Sequence, residues 1–178
     1  MLFVFNNLSI SSLPTLAKEF SESVNHICLP WIAQYLVRRA GVEPNLHILF
    51  MAFIDYLEDV PLERLVLRET YSQIRIILLA DHSFTERSLK HLGHWLGLQT
   101  LTRDIGIPEE RLPLKEIILS AAHKDLSALL CLLSFVSQLL DHSVHSRIFS
   151  HLIHGLWISY FCWVSFMSYL ALISISVW

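Results

Sequence analysis

The strongest constraint on the fold is a helix-forming stretch from residue 84 to residue 101 that carries two glycines one turn apart. Ser83 followed three residues later by Glu86 is a capping-box pattern, which predicts a helix start. Gly93 and Gly97 each cost roughly 1 kcal/mol relative to alanine inside a helix. We therefore expect a neighbouring backbone or a partner to approach the helix closely there. Its apolar stripe has the spacing of one helical face and consists of Leu89, Leu92, Leu96 and Thr100.

The residues before 149 show the spacing and punctuation of a series of helices. Pro30, Pro44, Pro61 and Pro113 stand where a helix begins or is interrupted, because proline is tolerated only in the first helical turn. Pro30 is compatible with a helix pair or with one helix kinked at that point. No segment keeps the period-two alternation of a strand, and only residues 74–79 are ambiguous. The apolar spacing predicts helices over residues 13–28, 31–39, 44–57, 61–78, 83–102, 114–122 and 126–140.

These helices predict an all-α fold. Helices of this length joined by short connections favour antiparallel neighbours. Antiparallel helix pairs stacked side by side form a HEAT-like α-solenoid, which is the architecture that we expect for residues 1–148. Such stacks present long faces to other proteins, so protein binding is the first functional indication.

Charge is distributed unevenly along the chain. Apolar residues make up 53% and charged residues 16% of the sequence, and every Lys, Arg, Asp and Glu lies before residue 149. This divides the chain into a helical domain, residues 1–148, and a charge-free hydrophobic tail, residues 149–178. A net charge of -3 without a clustered basic face gives no indication of direct nucleic-acid binding. Three widely spaced cysteines disfavour both a disulfide framework and a zinc site, and favour an intracellular setting.

The tail is long and apolar enough to cross a membrane, since about 20 apolar residues span the hydrocarbon core. As a C-terminal anchor it would have Arg147 on its cytoplasmic side. Two other readings remain open: an alternative ending or translated non-coding stretch, and a buried core helix.

The ten histidines suggest a metal site, but their pattern does not support one. Histidines three residues apart occur at 91 and 94, 142 and 145, and 151 and 154, which places two imidazoles on one helical face. No third ligand in a known arrangement accompanies them, and no nucleophile or phosphate-binding motif is present. We therefore expect a non-enzyme without cofactor or metal.

Tyr71 and Arg75 are four residues apart and share one helical face. Tyrosine and arginine are enriched at the energetic centres of protein interfaces. A tyrosine packed on its own neighbours beside an exposed arginine is the other reading of this pair.

Five segments carry a resemblance to a known family. They are VFNNLS at 4–9, LPWIAQYLV at 29–37, VEPNLH at 42–47, ETY at 69–71 and the block at 84–101. In order and spacing they resemble the central helical-repeat domain of the scaffold subunit, subunit one, of the CCR-NOT deadenylase complex. That domain is similar to the middle domain of translation initiation factor four-G. The resemblance ends near residue 148, which implies that the last helices of the family domain are missing.

The resemblance implies a scaffold that recruits a CAF-type poly(A) deadenylase and a DEAD-box RNA helicase, beside other CCR-NOT subunits. It implies roles in mRNA deadenylation, decay and translational repression, in the cytoplasm with its processing bodies and in the nucleus. The alternative is a small tail-anchored helical membrane protein of unknown activity. By helical face we nominate Phe50, Asp55 and Tyr56 for the nuclease. For the helicase we nominate Tyr71, Arg75, His91, His94 and Thr100.

Overall fold

A computed structural model of the chain describes residues 2–79, 86–124 and 126–147. In these residues there are eight α-helices and no β-strand, which confirms the all-α prediction. The capping box at Ser83 and the tail at 149–178 lie outside the described residues. The helices are α1 Leu2–Asn6, α2 Leu13–Ser23, α3 Leu29–Ala40, α4 His47–Leu57, α5 Val60–Leu79, α6 Glu86–Gln99, α7 Leu114–Lys124 and α8 Leu126–Asp141.

Short 3-10 turns separate several of these helices and correct the predicted boundaries. The helix predicted over 13–28 ends at Ser23, and a turn at His26–Cys28 precedes α3. Asn25 caps this turn through its side chain, and Pro30 lies in the first turn of α3, so the chain forms a helix pair there. Further turns occupy Pro44–Leu46, Leu101–Arg103 and His142–His145.

The helices stack in the order in which they occur along the chain. Helix α2 packs on α4, α3 on α5 and α6 on α8, while α5 contacts α6 and α7 contacts α8. Contacts between helices two apart in the chain are those of stacked helix pairs in a solenoid. Helix α6 also touches α3 and α4, so it lies at the centre of the described part.

One continuous apolar core runs from α1 to α8. At the amino-terminal end, Phe5, Phe20 and Phe53 meet edge to face, with ring centroids 5.2 to 5.9 Å apart. Trp95 of α6 is fully buried in the middle of the stack. Each such aromatic stabilises the fold by about 1.5 to 3 kcal/mol through burial. The short helix α1, which the apolar spacing did not predict, is held by Phe5.

The stretch Leu126–Val144 is long and apolar enough to cross a membrane, with a mean hydropathy of 1.4. It consists of α8 and the turn after it, and it packs against α6 and α7. Since a core helix of a soluble domain passes the same test, this stretch is weak support for a span.

Candidate protein-binding surfaces

The two glycines of α6 are the point at which α8 and the turn after it come closest. A Cβ placed on Gly93 would lie 2.6 Å from the backbone oxygen of Phe135 on α8. A Cβ on Gly97 would overlap the imidazole ring of His142. The close approach predicted for this helix is therefore confirmed, and the neighbours are α8 and the turn that follows it in the same chain.

A cluster of histidines joins α4, α6 and the turn that follows α8. The rings of His47 and His94 lie 5.0 Å apart, and His94 meets His142 edge to face at 4.4 Å. Nδ1 of His142 lies 3.1 Å from the hydroxyl oxygen of Thr102. His91 lies at the edge of the cluster, where its Nδ1 donates to the Gly41 carbonyl at 3.0 Å.

The hydrogen bonds fix the proton positions on His47. Its Nε2 donates to the Ala40 carbonyl at 2.7 Å, because a carbonyl can only accept. Nδ1 of the neutral ring is then an acceptor, and His94 Nδ1 donates to it at 2.8 Å. Burial lowers the pKa of His47 to about 4, and the nearby His94 contributes in the same direction. Burial also lowers the pKa of His94, although the negative charge of Asp141 acts in the opposite direction.

Three of the eight nominated residues lie in the core. Phe50 and Thr100 have no exposed surface, and Tyr71 is 6% exposed. Phe50 packs edge to face on Trp95, with ring centroids 6.5 Å apart, and the Thr100 hydroxyl donates to the Leu96 carbonyl. A side chain without exposed surface can serve a partner surface only through the residues that it supports. We therefore leave these three out of the proposed surfaces.

The other five nominated residues reach the surface at separate places. Asp55 and Tyr56 are exposed at the end of α4, and Arg75 is exposed on α5. His91 and His94 are half-buried on α6. Helices α5 and α6 pack on each other, so Arg75 and the two histidines occupy neighbouring elements.

Tyr56 lies on a groove between α2 and α4 with a volume of about 550 Å³. Tyr56 is 55% exposed and forms one wall with Leu57, while α2 supplies the opposite wall. Lys18 and Ser21 add polar groups to that wall. An aromatic side chain beside a mixed polar and apolar groove is typical of a protein contact site.

Family comparison identifies the domain. The model of the CCR4-NOT transcription complex subunit 1 CAF1-binding domain family matches residues 1–162. The chain belongs to this family. The match extends beyond residue 148, the domain boundary that the distribution of charged residues predicts. Since the structure describes nothing beyond residue 147, the boundary stays a prediction.

Relatives of this CAF1-binding domain chain are large proteins. It is 34% identical over 159 residues to CCR4-NOT transcription complex subunit let-711 of Caenorhabditis elegans, covering 83% of the chain and 6% of that protein. It is similar to the general negative regulator of transcription subunit 1 of Saccharomyces cerevisiae, 28% identical over 152 residues, and of Schizosaccharomyces pombe, 30% over 154 residues. Each match covers 84% of the chain and 7% of the yeast protein. The chain therefore spans less than a tenth of the length of these relatives.

The described part of the CAF1-binding domain contains no group of three His, Cys, Asp or Glu side chains arranged to hold a metal ion. His91 and His94 instead donate to a carbonyl and to a second histidine. The His145 side chain and the pair at 151 and 154 lie outside the described residues.

Sequence reasoning missed Arg103, which is central to the surface around Asp55. The guanidinium forms ion pairs with Asp55 and Glu63, the latter at 2.8 Å. Arg103 lies in the turn after α6, 40 residues from Glu63 and 48 from Asp55, so no local spacing indicates the pairing. Both carboxylates are about half exposed, which limits what the two ion pairs contribute.

Replacing Arg103 with glutamine should therefore lower the free energy of unfolding by only about 1 kcal/mol, because solvent screens both pairs. Urea denaturation followed by circular dichroism measures this change. A loss of more than about 3 kcal/mol would show that Arg103 is a buried core contact, which its partly exposed side chain does not suggest.

Proposed function

We propose that this domain is a non-catalytic scaffold that binds a CAF-type poly(A) deadenylase within the CCR4-NOT complex. The observation that carries the proposal is the family match over residues 1–162. A scaffold of this kind acts by raising the concentration of the nuclease near its messenger tail, to about millimolar for short connections. Other CCR4-NOT subunits are further partners, and the domain needs no cofactor to act in this way.

We place the deadenylase at the groove between α2 and α4. Support comes from the exposure of Tyr56 on the groove and from the mixed polar and apolar walls. A tyrosine buried by a partner contributes contact area at low entropic cost and a polar end for hydrogen bonding. Asp55 precedes Tyr56 in the chain and is exposed outside the groove lining, where it pairs with Arg103.

Replacing Tyr56 with alanine should weaken deadenylase binding at least about tenfold, since an aromatic residue at the centre of an interface contributes more than about 1.4 kcal/mol. Isothermal titration of the purified chain with a CAF-type deadenylase measures the dissociation constant. The matched control is Ile48→Ala on the same helix, where the side chain is 66% exposed and does not line the groove. Equal affinity of the Tyr56 variant and the parent chain would exclude this groove as the nuclease site.

We also propose that a DEAD-box RNA helicase binds the surface formed by α5 and α6. Exposed Arg75 and half-buried His91 and His94 lie on these two helices. Joint recruitment of nuclease and helicase would link mRNA deadenylation to decay, translational repression and RNA-mediated gene silencing. We expect the protein in the cytoplasm, including processing bodies, and in the nucleus. The same titration with the helicase tests this second partner.

A tail-anchored membrane protein is the alternative function. The observation that favours it is the absence of charged residues from 149 to 178. Fractionation of cells that express the whole chain distinguishes the two functions, because an anchored protein sediments with membranes and resists extraction with salt or carbonate.

A further inference from the structure

A second groove lies between α4, α5 and the segment that follows α6. Its volume is about 290 Å³. Met51, Ile54 and Val66 line it and are nearly or fully buried. Val60, 50% exposed, and Ile105, 43% exposed, also line it and have surface open to solvent. The groove therefore offers an apolar recess to a single bulky side chain.

Three exposed arginines follow one face of α5 beside this groove. Arg64 lines the groove, Arg68 lies one turn further along the helix, and Arg75 follows two turns later. None of the three forms an ion pair with the residues that the structure describes. The nearest carboxylates of α5 have other partners, since Glu63 pairs with Arg103, both of which also line the groove, and Glu69 accepts from Gln73. In the described part of the chain no carboxylate neutralises these three arginines, although the net charge of the chain is negative.

We propose that the groove and the arginines of α5, which together form the α5 site, bind a short acidic segment of a partner protein. One bulky apolar side chain of the segment enters the recess, and carboxylates on either side of it meet Arg64 and Arg68. Arginine suits this role because its planar guanidinium donates two parallel hydrogen bonds to a carboxylate. Arg75 extends the same charge toward the end of the helix.

The lining favours a peptide over a nucleic acid. Binding of single-stranded nucleic acid combines a basic groove with aromatic side chains on which bases stack. The residues that line this groove include no aromatic side chain; the apolar ones are Met51, Ile54, Val60, Val66, Leu67 and Ile105. Charge complementarity and an aliphatic recess together fit an acidic segment with one leucine-like side chain.

Fluorescence anisotropy with the whole chain tests this site. The probe is a short labelled peptide of aspartate and glutamate with one central leucine. We expect saturable binding that weakens at higher salt, because exposed charges are screened. The double variant Arg64→Glu and Arg68→Glu should weaken binding at least about tenfold. Arg38→Glu, at an exposed arginine of α3, is the matched control and should bind like the parent chain.

Two further measurements separate the contribution of charge to binding from the contribution of the apolar recess. A peptide of the same charge with a central alanine should bind the parent chain several-fold more weakly. The leucine peptide should likewise bind the Val60→Asp variant several-fold more weakly than the parent chain. Circular dichroism of each variant confirms that it is folded. Equal binding of the leucine and alanine peptides, no loss in the double variant, or tighter binding of a single-stranded oligouridine would each overturn the proposal.

Discussion

Replacing Gly93 with valine should lower the free energy of unfolding by at least about 3 kcal/mol, because it overpacks a close contact between α6 and α8. A Cβ at this position lies 2.6 Å from the backbone oxygen of Phe135 and 3.0 Å from its ring. A backbone oxygen inside α8 cannot turn aside as a flexible side chain can, so the two helices have to separate. Their separation would strip contacts from Trp95, Leu96 and Leu139 in the shared core.

Gly41→Ala is the matched control for this prediction. Gly41 ends α3 with a φ of -65°, and a Cβ there would meet its nearest atom at 3.5 Å, an ordinary contact. Alanine at such a site restricts the unfolded chain and changes stability by less than about 1 kcal/mol. Urea denaturation of both variants measures the difference. A Gly93 variant as stable as the Gly41 variant would show that α6 and α8 are not in close contact.

Acidification from pH 6.5 to 4 should destabilise the domain by about 3 kcal/mol through His47 alone. Burial lowers the pKa of this residue from 6.5 in the unfolded chain to about 4 in the fold. Between these two values the unfolded chain binds a proton that the folded His47 does not bind, so stability falls as the pH falls. Well above pH 6.5 the ring is neutral in both states and contributes no pH dependence.

The hydrogen bonds explain why a proton on His47 is poorly tolerated. A charged ring would present Nδ1–H to the N–H of His94, which removes the bond between the two histidines. His94, His91 and His142 face the same ring and also lower the pKa of His47, while the Asp141 carboxylate raises the pKa of His94. The link between α4 and α6 should therefore weaken in acid.

His47→Gln tests this account because glutamine retains a donor for the Ala40 carbonyl but cannot be protonated. The variant should be less stable at neutral pH and should lose less stability between pH 6.5 and 4 than the parent. His123→Gln, at an exposed position of α7, is the matched control and should keep the slope of the parent. Thermal denaturation across this pH range gives the slopes, and identical slopes for parent and His47 variant would contradict the assignment.

Local sequence signals predicted most of the helices of the fold. Pro30 and Pro44 mark helix starts because the restriction of the proline backbone acts within one turn. The pair Gly93 and Gly97 indicated a close contact, since glycine has no other advantage inside a helix. What local spacing could not give is the identity of the neighbour, because α8 lies some 40 residues further along the chain.

The partner residues were harder to predict than the fold. Periodicity alone places Phe50, Tyr71 and Thr100 on apolar stripes of their helices, and the structure buries all three. Nomination by helical face assigned these residues to partners, although the apolar stripe was the better guide to burial. Arg64 has no ion-pair partner among the described residues, and this became visible only once the structure showed the ion pairs of its neighbours.

The central claim is that this domain binds a CAF-type deadenylase. Size-exclusion chromatography with light scattering, applied to the whole chain mixed with the purified nuclease, tests it most directly. The account predicts one species with the summed mass of the two proteins, and dissociation of that species in the Tyr56→Ala variant. Two separate species, with a helical circular dichroism spectrum for the chain and an active nuclease, would contradict it.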